Sequence, residues 1–335
     1  MKNLVASLAV LAAMIGPAAA APFRLIVTDL EAPLVPNSVM DLAVSLGYFA
    51  RENVEVELVR VQQTPLAVTA LQAGEGEMAN IGVDTLLQLV ASGQLDLRAV
   101  MSPSKSLAFM IVARDAIPDV ASLGGKSFGI GRVGSVDQTL SRQVLTSAGV
   151  DVESLEQVAL GQPAARAQAL AAGQIDATTM SLGTWTTLPD QAGLHVLIDQ
   201  DAYYKAAPVV SKVNVVLPET LETRRPEVVA VVTALTKLAR DISADPKLWV
   251  DAMAEVRPDL DRTKLESLAD AYGQSWSVNG GLSAKELAFT ADWNFKSADF
   301  ADLEPVDMAR WVDFSVVDEV LGSLGSLPDM DPADR

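Results

Sequence analysis

The stretch Ala70-Leu71-Gln72-Ala73-Gly74-Glu75-Gly76-Glu77-Met78 returns 99 residues later as Ala169-Leu170-Ala171-Ala172-Gly173-Gln174-Ile175-Asp176-Ala177. Each copy reads as a helix end, a glycine able to take the left-handed conformation that closes it, an acidic residue two or three positions on, and then a strand. Two αβ turns can agree by chance; the alternative is two lobes built on one plan, each with its own sheet.

The flanking segments follow the same grammar. Phe23 to Val27 is a short β-type run, and Val39, Leu42, Ala43 and Leu46 recur at helical spacing, predicting a helix over 38–50 capped by Asn37 or Ser38. Val54 to Val61 begins with the alternation of a strand, and Thr64-Pro65 reads as a cap followed by proline at the first helical position. Strands are predicted at 78–83, 98–101, 126–130, 157–160, 175–180 and 194–198, with helices over 135–148 and 163–172 between them. Beyond Pro218 the pattern turns helical: 226–242, 246–255, 261–276, 284–290 and 305–321. Strands alternating with helices predict an α/β fold with parallel or mixed sheets.

At 335 residues the chain has room for two domains. Its formal charge of −18 argues against nucleic acid and against anionic membrane surfaces. With no cysteine and one histidine, thiolate metal sites, disulfides, cysteine nucleophiles and multi-histidine zinc sites are excluded, and neither a metal nor a cofactor is expected. Lys2, the apolar run Leu4 to Ile15, the Gly16-Pro17 break and Ala18-Ala19-Ala20 read as a cleavable signal peptide over residues 1–20. No cysteine follows it to be acylated, so the mature chain is expected free in the periplasm.

Gly129-Ile130-Gly131-Arg132-Val133-Gly134 has dinucleotide-fingerprint spacing, with Asp151 and Glu153 about 20 residues on. An exported NAD-dependent oxidoreductase is therefore an alternative. Against it, the motif lies mid-chain, free NAD is scarce outside the cytoplasm, and no acid/base partner for hydride transfer stands out. Glycines ahead of a helix beginning at Ser135 expose backbone N–H groups at the positive end of the helix dipole, a seat for a carboxylate, sulfonate or phosphate. Ser135 is either a cap or a cap that also touches ligand, and Arg132 is the one cation of that loop. Gly124-Gly125-Lys126-Ser127 lacks the first glycine of a phosphate loop, and His195 reads as a strand residue.

A better constellation is Asp29, Thr64, Asp84 and Ser104 or Ser106, each just after the carboxyl end of a predicted strand, where α/β sheets bind ligands. Gly134, Ser135 and Trp185 hold comparable places in the second half, Trp185 as a stacking platform or as packing.

Gly47-Tyr48-Phe49-Ala50-Arg51-Glu52-Asn53-Val54-Glu55-Val56-Glu57-Leu58-Val59, Leu71 to Gly82, Leu123 to Ile130 followed by Gly134-Ser135, and Gly173-Gln174-Ile175-Asp176-Ala177 together resemble the solute-binding proteins of ABC importers for nitrate, sulfonates, taurine and thiamine-pyrimidine precursors. Asn53 stands where that family has glycine. The resemblance implies a two-lobe, type II periplasmic-binding fold, each lobe a mixed sheet flanked by helices, with a helical C-terminal region. Residues 22–112 plus 210–335 would form the first lobe and 113–209 the second, with hinge crossings near 111–115 and 206–213. A monomer would capture a small-molecule ligand by hinge closure and deliver it to an inner-membrane ABC permease; a sensor reporting to a membrane receptor is the alternative. Asp84 would repel an oxyanion and pair with an amine or protonated ring nitrogen, so the ligand is left open between a nitrogen-containing or aromatic molecule and a sulfonate or carboxylate. Pyrimidine-synthesis enzymes of this fold carry a cysteine-rich motif, which this chain lacks.

Overall fold

The computed structural model describes residues 21–104, 108–273 and 275–328, so the expected signal peptide and Ser106 lie outside the described residues. The chain begins with β1 (Phe23–Val27), α1 (Val39–Ser45), α2 (Tyr48–Arg51), β2 (Val56–Arg60), α3 (Thr64–Gln72), β3 (Met78–Gly82), α4 (Val83–Ala91) and β4 (Arg98–Ser104). Then come β5 (Phe109–Arg114), β6 (Ser127–Ile130), α5 (Val136–Ser147), β7 (Glu156–Ala159), α6 (Pro163–Ala171), β8 (Ala177–Ser181), α7 (Leu182–Thr187), β9 (Leu194–Ile198) and α8 (Gln200–Ala206). It closes with β10 (Lys212–Val216), α9 (Pro218–Thr223), α10 (Arg225–Ala244), α11 (Pro246–Val256), α12 (Arg262–Ala271), α13 (Ala284–Phe295) and α14 (Phe314–Leu324).

Two five-stranded sheets result, ordered β2-β1-β3-β10-β4 and β7-β6-β8-β5-β9. Within each, the first three strands run parallel and the last two pairings are antiparallel. One plan is thus used twice, as the repeated sequence implied. Gly74 and Gly173 close α3 and α6 at φ +72° and +71°. The acidic residue three positions on then ties down the strand beside it: Glu77 bonds the backbone of Arg24 in β1, and Asp176 that of Ser127 in β6.

The passage between sheets comes earlier than expected. The crossing at 111–115 and the lobe boundary at 112 fall inside β5, which already pairs with β8 from Phe109. Met110-Ile111-Val112-Ala113 is buried throughout, as suits an interior strand. The return passage lies between α8 and β10.

The expected helix 38–50 breaks at Gly47, at φ +71°, and neither Asn37 nor Ser38 caps it. Both side chains turn inward. Ser38 Oγ accepts the Trp249 indole N–H at 2.9 Å, and the Asn37 amide opens a buried ladder, donating to Asn80, which donates to Asn214, each at 2.8 Å. The helix at 64 starts one residue early, with Gln63 as its N-cap in extended backbone. The helix expected from 305 starts only at Phe314, because Trp311 is wholly buried and the flanking backbone bonds Ala99 of β4.

A large core joins the first sheet to α10, α11, α12 and α14, with Tyr272 edge-on to both Trp249 and Trp276 and the two indoles tilted against each other, at centroid spacings of 6.3–6.4 Å. A smaller core lies under the second sheet, and Phe289 and Trp293 of α13 pack on it. The C-terminal helical region therefore touches both cores. Among the described residues no helix is long and apolar enough to cross a membrane.

Candidate ligand-binding site

The carboxyl ends of the first sheet's parallel strands gather around Lys212, which sequence reasoning missed. Lys212 heads the apolar run of β10 and stands in register between Gly82 of β3 and Ser104 of β4. Its ammonium donates to Thr28 Oγ1 at 2.8 Å and lies 3.7 Å from Asp29 Oδ2. Thr64 Oγ1 accepts the Gly82 N–H at 3.4 Å. Asp84, exposed in the first turn of α4, has no ion pair within 4.0 Å among the described residues. Its carboxylate folds back toward the helix start, where a Cβ on Gly82 would lie 2.3 Å from Asp84 Oδ1. Asp29, Thr64, Asp84 and Ser104 thus stand at or just beyond the strand ends of the first sheet, and Lys212 lies between Asp29 and the ends of β3 and β4.

Beside this group Thr28 to Pro33, Gln62 and Arg257 line an open recess of about 380 Å³. Arg257 holds its loop by donating to the Ala32 carbonyl at 3.1 Å and lying 3.4 Å from Glu31. Arg60 bonds the Asp29 carbonyl at 3.1 Å and pairs with Asp41, whose carboxyl burial pushes above its ordinary range despite that guanidinium.

At the second sheet the expectation of free N–H groups on the glycine loop is not met. Gly131 N donates to Asp137 Oδ2 at 2.8 Å, Arg132 N to Ser135 Oγ at 3.3 Å, and Gly134 N, at φ +78°, to Gln138 Oε1 at 3.0 Å. Ser135 holds the N-cap position of α5, but its hydroxyl turns back to the Arg132 carbonyl at 2.6 Å and caps nothing. Arg166, buried beside the loop, lies 3.7 Å from Asp137 and donates to the Gly161 carbonyl at 2.6 Å. Trp185 is half-buried in α7 and packs against the large core. His195 lies on β9, 3.3 Å from Asp115 and away from both groups.

Residues 39–248 match the family described as NMT1/THI5 like. The chain belongs to that family. No curated protein sequence matches it. Solved structures do. A putative sulfonate ABC transporter protein, the periplasmic sulfonate-binding SsuA of Methylobacillus flagellatus, superposes with TM-score 0.70 at 16% identity, covering 94% of this chain and 98% of that one. The periplasmic aliphatic sulphonate binding protein SsuA of Escherichia coli gives 0.65 at 18% identity, over 87% and 97%. A DszB mutant in complex with biphenyl-2-sulfinic acid gives 0.62 at 15% identity, over 90% and 100%. This NMT1/THI5-like chain has the periplasmic binding protein fold, two mixed sheets flanked by helices.

Proposed function

We propose that the protein is the periplasmic solute-binding component of an ABC importer, capturing a small organic solute between two lobes and carrying it to an inner-membrane permease. The observation behind this reading is the repeated plan: each sheet offers its parallel strands' carboxyl ends, dressed with polar side chains, on either side of two chain passages. The sulfonate-binding proteins of the same fold support the transport role. Residues up to about 108 and from 210 form one lobe and 109–209 the other, and closure is a hinge motion at the passages. Residues 1–20 direct export, and the mature chain acts as a monomer without bond chemistry.

The oxidoreductase reading loses its best feature, since Asp137 would set a carboxylate against a pyrophosphate in the glycine loop. A sensor partner in place of a permease is distinguished by which membrane protein the loaded form binds. Small-angle scattering on the mature protein during titration with a metabolite extract tests closure. A fall in radius of gyration is expected, and an unchanged radius across fractionated extracts overturns the reading.

A further inference from the structure

The donors that would greet an oxyanion at the head of α5 are already bonded to Asp137, Ser135 and Gln138. Asp137 sits in the seat itself: a Cβ on Gly131 would lie 2.9 Å from Asp137 Oδ1 and 3.4 Å from Arg166 Nη1. Arg166 is 5% exposed and its Nε has no partner, so the one buried cation of this rim is directed at a carboxylate the chain itself supplies. An incoming sulfonate or carboxylate would have to displace Asp137 and then face its charge at close range.

Two further observations describe the ligand that remains. Only six large apolar side chains stand exposed among the described residues, and four of them follow strand carboxyl ends: Leu30 and Leu66 on the first sheet, Val133 and Val136 on the second. Lys212, Arg60 and Arg257 each have a carboxylate within 4 Å, whereas among the described residues Asp84 has no cation within that distance. Arg132, which has no carboxylate within 4 Å among the described residues, is exposed to water, which screens it.

We propose that Asp137 is a built-in anion that closes the oxyanion seat, making the cleft selective for an apolar organic cation whose ammonium meets Asp84 and whose carbon body lies on Leu30, Leu66, Val133 and Val136. This rests on the solute-binding reading above. Calorimetry with n-hexylammonium and n-hexanesulfonate tests it on the mature protein, on Asp137→Asn and Asp137→Glu, and on Asp84→Asn. The wild type binds hexylammonium at least about tenfold tighter than hexanesulfonate. Asp137→Asn tightens hexanesulfonate by about tenfold or more, Asp137→Glu does not, and Asp84→Asn weakens hexylammonium by a similar factor. Equal binding of the two probes by the wild type overturns the proposal, as does a folded Asp137→Asn with unchanged sulfonate binding. Should Asp137→Asn fail to fold, the wild-type ratio and Asp84→Asn decide. An extract component that compacts the protein and proves to be an oxyanion sinks the proposal alone; absence of compaction with every extract and of binding with every probe sinks the transport reading as well.

Discussion

The carboxylate of Asp176 accepts both the backbone N–H of Ser127, at 3.0 Å, and its hydroxyl, at 2.8 Å. Glu77 repeats the arrangement in the other sheet, accepting the Arg24 backbone N–H at 2.6 Å and its guanidinium at 2.7 Å. Burial pushes both carboxyls up, but the hydrogen bonds outweigh it, helped by Arg224 near Glu77 and by Lys126 and Arg114 near Asp176, and both end below the usual carboxylate range. A carboxyl lowered in the folded state adds stability above its unfolded pKa of about 4, and that stability is lost as pH falls through the folded value. Asp176→Asn and Glu77→Gln each lower stability by about 1–2 kcal/mol at pH 7. Urea midpoints followed from neutral pH into the acid range check this: the wild type weakens in acid, and the double variant has a flatter acid limb.

Asn80 is the middle rung of the buried amide ladder, accepting from Asn37 and donating to Asn214. Asn80→Ala strands a polar group on both neighbours in the buried core and costs about 2–4 kcal/mol. Asn80→Ala with Asn214→Ala costs less than the sum of the two, which a double-mutant cycle in urea reads directly.

Gly281 and Gly93 share a left-handed backbone, at φ +67° and +69°, but not a neighbourhood. A Cβ on Gly281 would lie 2.1 Å from the Ser102 carbonyl oxygen, while one on Gly93 meets nothing within 4 Å. Gly93→Ala therefore costs about 1 kcal/mol, the conformational penalty alone, and Gly281→Ala more than about 3 kcal/mol. Comparable losses in thermal unfolding would contradict this.

Lys212 joins Thr28 and Asp29 while its ammonium stays partly open to solvent. Lys212→Met should change basal stability by no more than about 1 kcal/mol, the range for a solvent-screened pair. Because it frees the Asp29 carboxylate at the same strand end, it should not weaken hexylammonium binding in calorimetry; a loss of that binding by the folded variant would contradict the cation reading.

Much of this architecture was legible because it is periodic and local. The repeat of 70–78 at 169–177 marked two helix-to-strand turns that hold the same place in the two sheets. The places of Asp29, Thr64, Asp84 and Ser104 just after or at strand ends were legible from strand prediction alone, while Ser106 lies outside the described residues. Lys212 was hidden because it joins the group through antiparallel pairing across more than a hundred residues, which no local spacing reveals. Phe109 to Ala113 was misplaced because a short apolar run fits a hinge segment or an interior strand equally well. At the glycine loop the spacing announced a helix start correctly, but whether its donors are free depends on where the Asp137 and Gln138 side chains turn.

The insertion of β10 between β3 and β4 fixes an order of assembly. β4 has no neighbour in the first sheet until residues 212–216 exist, whereas every strand of the second sheet lies within 109–198. The later-made half is thus the first whose sheet can be completed, and β4 must wait for the chain to come back. The first sheet is the half that closes last, although its chain is made first.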